Sequence, residues 1–221
     1  RCIPVLAGQA ALDALLAHPR IWRGRQGARS LPTVSTGHPA LDRILPGGGW
    51  PRSSLVEVLL ERHGIGELQL LLPLLVRECE RAQARHETRD SRRWLCWVAP
   101  PYVPHARALS EAGVDVDRIL LVHVNADDQA LWAMEQALRS DGSALVLGWV
   151  AEAEGAQLRR LQLAAEAGGS IGILFRPQAS REQPSVAALR LQLSAGRYGE
   201  IEVLKSRGGR PQRLPLRHIL S

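Results

Sequence analysis

Residues 61–68 have the position of a phosphate-binding loop without its chemistry. They follow the apolar, strand-like run 55–60 and lead into a second apolar run. A phosphate loop in this setting reads G-x-x-x-x-G-K-[ST], in which backbone amides and the lysine hold phosphates and the hydroxyl holds magnesium. Gly66 fits the second glycine, but Glu67 replaces the lysine and Leu68 the hydroxyl. A carboxylate about 4 Å from a phosphate costs roughly 1 to 4 kcal/mol. The predicted degenerate nucleotide loop comprises Glu61, Gly64, Gly66, Glu67 and Leu68.

Two further positions of a nucleotide hydrolase lack an ionisable side chain. The acid that orders magnesium should end the apolar run 144–147, where Gly148 stands instead. The base that activates water should follow the run 95–98, where the chain reads Ala99-Pro100-Pro101. Gly148 and Pro101 therefore mark lost acid and base positions. Loss of lysine, hydroxyl, acid and base together predicts a chain that is not an enzyme and needs no cofactor.

The composition predicts one packed domain with an extension before it. The chain has 221 residues, of which 45% are apolar, enough to bury a sizeable core. We expect an N-terminal helix and basic linker in residues 1–32 and a core domain in residues 33–221. No apolar run reaches the ~20 residues of a membrane span. Three cysteines without metal-ligand spacing favour a reduced, cytoplasmic protein that holds no metal.

Basic residues near the C-terminus form a second candidate site. The net charge is +6, and Lys205 is the only lysine in the chain. Two interpretations stay open, a solvated face or a contact with DNA phosphate or an acidic partner. Aromatic residues make up 4% of the chain, too few for the usual stacking on single strands, so DNA binding is expected to be weak or indirect. The basic stripe comprises Lys205, Arg207, Arg210 and Arg213.

Between these sites the chain alternates strand-like and helix-like patterns, which predicts a mostly parallel sheet covered on both faces. Near the C-terminus, apolar residues alternate with polar ones on both sides of a glycine-containing turn, which predicts an antiparallel pair. The predicted strands are 55–60, 93–98, 119–124, 144–149, 171–175, 189–193 and 201–203, and the predicted helices are 68–84, 103–112, 127–140 and 153–167.

Several segments resemble the core of RecA-type recombinases. Residues 36–42 read T-G-x-x-x-L-D and run into the glycine-rich turn 46–51 before the loop strand, and residues 113–120 resemble the opening of the next strand. The resemblance covers roughly residues 33–220. It implies an α/β fold with a RecA-like core, that is, a mostly parallel twisted sheet flanked by helices, with C-terminal antiparallel strands.

The loop and the arginine-rich composition most resemble the ImuA family, the RecA-like accessory proteins of error-prone translesion synthesis. This implies an SOS-induced DNA repair and mutagenesis adaptor. It would bridge a catalytically inactive Y-family polymerase homologue (ImuB-like) and the error-prone DNA polymerase, with RecA as a further partner.

Two alternatives remain open. SulA-type cell-division inhibitors share the derived core and would bind the tubulin-like division GTPase instead. A nucleotide-binding recombinase-type ATPase is disfavoured by the missing groups.

The resemblance also suggests a role for the N-terminal residues. Leucines spaced at i, i+3 and i+4 predict a short amphipathic helix over residues 9–17, followed by a basic, glycine-punctuated linker. In recombinases such a helix docks on the neighbouring protomer. Here it is either a partner-binding arm or a helix folded back on its own domain. The arm residues are Leu12, Leu15, Leu16 and Trp22.

Overall fold

A computed structural model describes residues 32–84, 93–195, 199–206 and 211–219 of the chain. All of them belong to one compact unit, Leu31–Ser221. The strands are β1 (Thr33–Val34), β2 (Trp50–Pro51), β3 (Ser54–Leu60), β4 (Trp94–Val98), β5 (Ile119–Val122), β6 (Ser143–Trp149), β7 (Ile171–Pro177), β8 (Leu189–Ser194), β9 (Glu200–Ser206) and β10 (Gln212–Pro215). The α-helices are α1 (Pro39–Ile44), α2 (Glu67–Ala84), α3 (Ala106–Glu111), α4 (Asp127–Arg139) and α5 (Gly155–Gly168).

Eight of the strands form one mixed sheet in the order β10-β9-β8-β3-β7-β6-β4-β5. Neighbours from β8 to β5 are parallel, whereas β9 is antiparallel to both β8 and β10. At the centre, Val56 of β3 lies opposite Ile173 of β7 and Leu189 of β8. Because the parallel strands share one direction, the loops that follow β3, β4, β6 and β7 meet at a single edge of the sheet, which we call the carboxyl edge.

Continuous apolar runs explain why the central strands are buried on both faces. Every residue of β3 and β6 is buried. On one face, α2 contributes four fully buried leucines at helical spacing; on the other, α4 and α5 pack against the sheet. The four leucines of α2 are Leu70, Leu71, Leu74 and Leu75. These two cores place the carboxyl edge on a rigid support.

The predicted RecA-like core, a mostly parallel twisted sheet flanked by helices, is wrong. The structure is an eight-stranded mixed sheet with few helices, and only three helices in the described residues exceed six residues. The helix predicted at 103–112 is reduced to Ala106–Glu111 because the prolines before it disfavour helical backbone. The edge strand β5 is consequently poorly covered, and Leu120 is 46% exposed.

Individual strands nevertheless lie where the apolar patterns predicted them. The run 55–60 becomes Ser54–Leu60, and the run 144–149 becomes Ser143–Trp149. Helix α2 begins at Glu67, one residue before the predicted start at Leu68. The helix continues through Pro73. Short-range patterns therefore gave the element positions but not the architecture.

Neither a membrane-spanning helix nor a metal-binding cluster is found in the part of the chain that the structure describes. No helix there is long and apolar enough to cross a bilayer. No group of three or more His, Cys, Asp or Glu side chains there could hold a metal ion. Cys79 and Cys96 are buried without disulfides, and burial raises the pKa of the Cys96 thiol to about 11, which leaves it protonated and unreactive at neutral pH.

Candidate functional site

The loop between β3 and α2 is closed by its own carboxylate. Gly64 and Gly66 adopt positive φ values of 78° and 104°, a backbone that glycine allows at low cost. The Glu67 carboxylate turns back and accepts hydrogen bonds from the amides of Gly64 (2.7 Å) and Ile65 (2.9 Å). Glu67 is only 6% exposed. The loop amides that could bind a phosphate are therefore already hydrogen-bonded to a carboxylate of the same protein.

Glu61, at the start of the loop, also forms hydrogen bonds within the protein. Its amide donates to the Leu193 carbonyl at 3.3 Å, and its carboxylate accepts from the Ala195 amide at 2.9 Å. At the other end of the loop, Leu68 packs against the apolar core. The five predicted loop residues thus lie together, tied to the end of β8 and to α2.

Three aromatic side chains occupy the core on the loop side of the carboxyl edge. Trp149 stacks on Phe175 with ring centroids 4.7 Å apart, and Trp97 lies 6.0 Å from Trp149. All three belong to the same apolar cluster against which Ile65 and Leu68 pack. The core on this face of the sheet is therefore apolar and partly aromatic.

The structure places Gly148 away from the loop. A Cβ atom on Gly148 would lie 2.0 Å from the Met134 sulfur of α4, so this position faces the sheet side opposite the loop. The residue of β6 that faces the loop side is Trp149. In the sequence, an apolar run that is buried on both faces does not show which residue faces which side.

Pro101 lines a crevice of about 260 Å³ at the carboxyl edge. His63 and Trp149 also line it, as do Asp127 at the start of α4 and Ala151 after β6. The Asp127 carboxylate accepts hydrogen bonds from the amides of Ala151 (3.0 Å) and Glu152 (2.8 Å). This acid positions the backbone of the loop that follows β6.

A buried charge network lies under the same edge. Glu57 in β3 is fully buried, and its carboxylate contacts Arg176 of β7 at 3.0 Å and Arg190 of β8 at 3.2 Å. Arg176 also donates to the Gln183 side chain (2.7 Å) and to the Ala153 carbonyl (3.2 Å). Because these bonds hold the segments after β6 and β7, both segments are fixed to the sheet rather than extended from it.

Arg190 extends this network along the segment after β7. Its guanidinium donates to the carbonyls of Ser180 (2.5 Å), Arg181 (2.8 Å) and Gln183 (2.9 Å). Burial lowers the pKa of Arg190, and the nearby Glu57 carboxylate opposes that shift. The arginine remains charged and links the 3-10 turn Gln178–Glu182 to the sheet.

The basic stripe is only partly within the described residues. Lys205 is exposed and donates to the Ser185 carbonyl at 2.6 Å, and Arg213 pairs with Glu202 at 3.2 Å. Glu202 also accepts two bonds from Arg181, at 2.8 and 3.0 Å, which hold the pKa of Glu202 below its usual value. Arg207 and Arg210 lie outside the described residues. The proposed DNA or acidic-partner contact of the stripe stays a prediction.

The predicted N-terminal arm lies outside the described residues, which begin at residue 32. Its residues are Leu12, Leu15, Leu16 and Trp22.

An exposed apolar pair at the carboxyl edge escaped sequence reasoning. Tyr102 is 69% exposed and Val103 84% exposed, in the short loop between β4 and α3. The available signal was the spacing of Pro100, Pro101 and Pro104 around them, which predicts a stiff, extended loop.

Comparison with known proteins identifies one matching family. The family model "Cell division inhibitor SulA" matches residues 56–172, more than half of the chain. A cell division inhibitor SulA of Edwardsiella piscicida is 39% identical over 111 residues, covering 50% of this chain and 61% of the relative. That of Photorhabdus laumondii is 32% identical over 125 residues, covering 57% and 65%. The chain thus spans about three fifths of the length of these curated relatives.

One solved structure that matches is that of SulA from Pseudomonas aeruginosa. It has 30% sequence identity and a TM-score of 0.42, and the alignment covers 55% of this chain and 97% of that one.

These comparisons overturn the resemblance to the ImuA family. The adaptor role in translesion synthesis and its partners, the Y-family polymerase homologue, the error-prone polymerase and RecA, are therefore wrong. Residues 36–51, which resemble the entry to the recombinase core, precede the matched residues 56–172. Its Thr36 and Asp42 have a local structural role: the Asp42 carboxylate accepts from the Thr36 amide (2.8 Å) and hydroxyl (2.7 Å).

Proposed function

Because the chain belongs to the SulA family of cell division inhibitors, we propose that it blocks division by binding the tubulin-like division GTPase. The observation that carries this proposal is the family match over residues 56–172, which includes most of β3, all of β4 to β6 and the loop at residues 61–66. Inhibition would be stoichiometric, since a bound GTPase subunit is withdrawn from assembly. The inhibitor would act in the cytoplasm, where that GTPase assembles.

The proposal includes no catalytic step. Its support is the Glu67 carboxylate, which takes the loop amides of Gly64 and Ile65 for itself. The aromatic cluster around Trp149 supports it further, because it fills the core on the loop side of β6. A scaffold of this kind offers its outer surface to a protein rather than its loop to a nucleotide.

The experiment is a polymerisation assay with the purified division GTPase and GTP, followed by light scattering and pelleting. We expect polymer mass to fall in proportion to added inhibitor and to vanish near equimolar amounts, without ATP. Cells that express the chain should become filamentous because their division is blocked. Unchanged polymer mass at a severalfold excess of folded chain would overturn the proposal.

A further inference from the structure

Tyr102 and Val103 form the most exposed apolar pair at the carboxyl edge, with exposed fractions of 69% and 84%. They lie within the residues that match the family model. Burial of an exposed tyrosine ring by a partner is energetically favourable. In the free protein the hydroxyl of the side chain stays hydrated. Aromatic anchors of this kind dominate the energies of protein interfaces.

The loop that carries them is fixed at both ends. At its start, the Ala99 amide donates to the Val122 carbonyl at 2.9 Å, and Ala99 has a positive φ of 51°. At its end, the His105 imidazole accepts from the Ala108 amide at 3.0 Å and caps α3. Pro100, Pro101 and Pro104 restrict the backbone between these points. A stiff loop loses little conformational entropy on binding, which favours affinity.

Beside this loop the edge carries exposed glutamates, although the chain has a net charge of +6. The crevice joins the two features, with Pro101 and Ala151 both in its lining. Beyond Ala151, a groove of about 500 Å³ is lined by Glu152, Glu154 and Gln183. Both glutamates are exposed. Acidic side chains around an open groove favour a partner that presents Lys or Arg there.

We propose that Tyr102 and Val103 insert into an apolar recess of the division GTPase, while the groove lined by Glu152 and Glu154 receives a basic side chain beside that recess. This inference rests on the proposed function and assigns its contact surface. The loop supplies the desolvated centre of the interface, and the glutamates supply its charged rim. Truncation of the centre should raise the dissociation rate, whereas charge reversal at the rim should lower the association rate.

The first test measures binding of the GTPase to the double variant Tyr102→Ala, Val103→Ser. We expect the Kd to rise by about 30-fold or more, the effect of losing an interface anchor, and inhibition of polymerisation to fall with it. Leu163→Ala removes an exposed leucine of α5 and is the matched control, with a Kd within about threefold of wild type. Thermal unfolding of each variant shows that it is folded.

The second test reverses a rim charge. Glu152→Lys should slow association severalfold at low salt, and the difference should shrink as salt is added. Glu80→Lys, an exposed acid near the far end of α2, is the control and should change nothing.

The outcomes separate this inference from the proposed function. Wild-type chain that fails to inhibit polymerisation contradicts the function. Wild-type chain that inhibits, with a double variant that inhibits equally, overturns the assigned surface alone. Faster association of Glu152→Lys overturns the basic character of the partner surface.

Discussion

Two buried glutamates near the carboxyl edge are stabilised in opposite ways. Glu67 is held by two backbone amides of a solvent-facing loop. Glu57 is held by two arginines in the middle of the sheet, where water has no access. Removal of Glu67 leaves two neutral amides that can form hydrogen bonds with water. Removal of Glu57 leaves two buried guanidinium groups without their anion.

The difference separates what the loop does from what supports it. The Glu57 network fixes the segments after β6 and β7, so it is part of the scaffold. The Glu67 contact occupies two amides of the loop, so it affects which ligands the chain excludes more than whether the chain folds. The two roles predict different losses of stability when each glutamate is replaced.

Glu57→Ala should have the largest effect. It leaves Arg176 and Arg190 buried without a carboxylate, which costs about 3 to 5 kcal/mol of unfolding free energy. Urea denaturation measures the loss, with the exposed Glu182→Ala as control, expected within about 0.5 kcal/mol of wild type. A loss for Glu57→Ala no greater than that of its control would refute the scaffold role.

Glu67→Ala should cost less, about 1 to 2 kcal/mol, because two amide hydrogen bonds are exchanged for bonds to water. Glu67→Gln keeps one acceptor oxygen and should lose about half as much. The same urea titration measures both. If Glu67→Ala were as costly as Glu57→Ala, the distinction between closing group and scaffold would fail.

Glu202 should contribute the smallest effect, and only above acidic pH. Hydrogen bonds from Arg181 hold its pKa in the folded protein below the unfolded value. Its stabilisation, about 1 kcal/mol, is therefore present at neutral pH and lost as the pH falls through that lowered pKa. The difference in stability between wild type and Glu202→Gln should disappear in acid. A difference that persists unchanged across that pH range would contradict the assignment.

The sequence predicted local features better than their combination. Apolar runs located β3 and β6, and the residue types at 67 and 68 indicated a loop unsuited to phosphate. Sequence alone showed only that Glu67 would repel phosphate; that its side chain folds back onto the amides depends on the φ values of Gly64 and Gly66.

The remaining misses have a common physical origin. Gly148 packs next to Met134, on the face of the sheet opposite the loop, and strand orientation fixes that placement. The charges of Glu57, Arg176 and Arg190 lie far apart along the chain and meet only through strand order. The exposed pair Tyr102 and Val103 depends on how short α3 is. Long-range packing decides all three features.

The most direct test of the closed loop is calorimetric titration of Mg–ATP into the wild-type chain. Because the Glu67 carboxylate already occupies the amides of Gly64 and Ile65, we predict no measurable heat of binding up to millimolar nucleotide. Micromolar binding to wild type that Gly66→Trp abolishes would contradict the account.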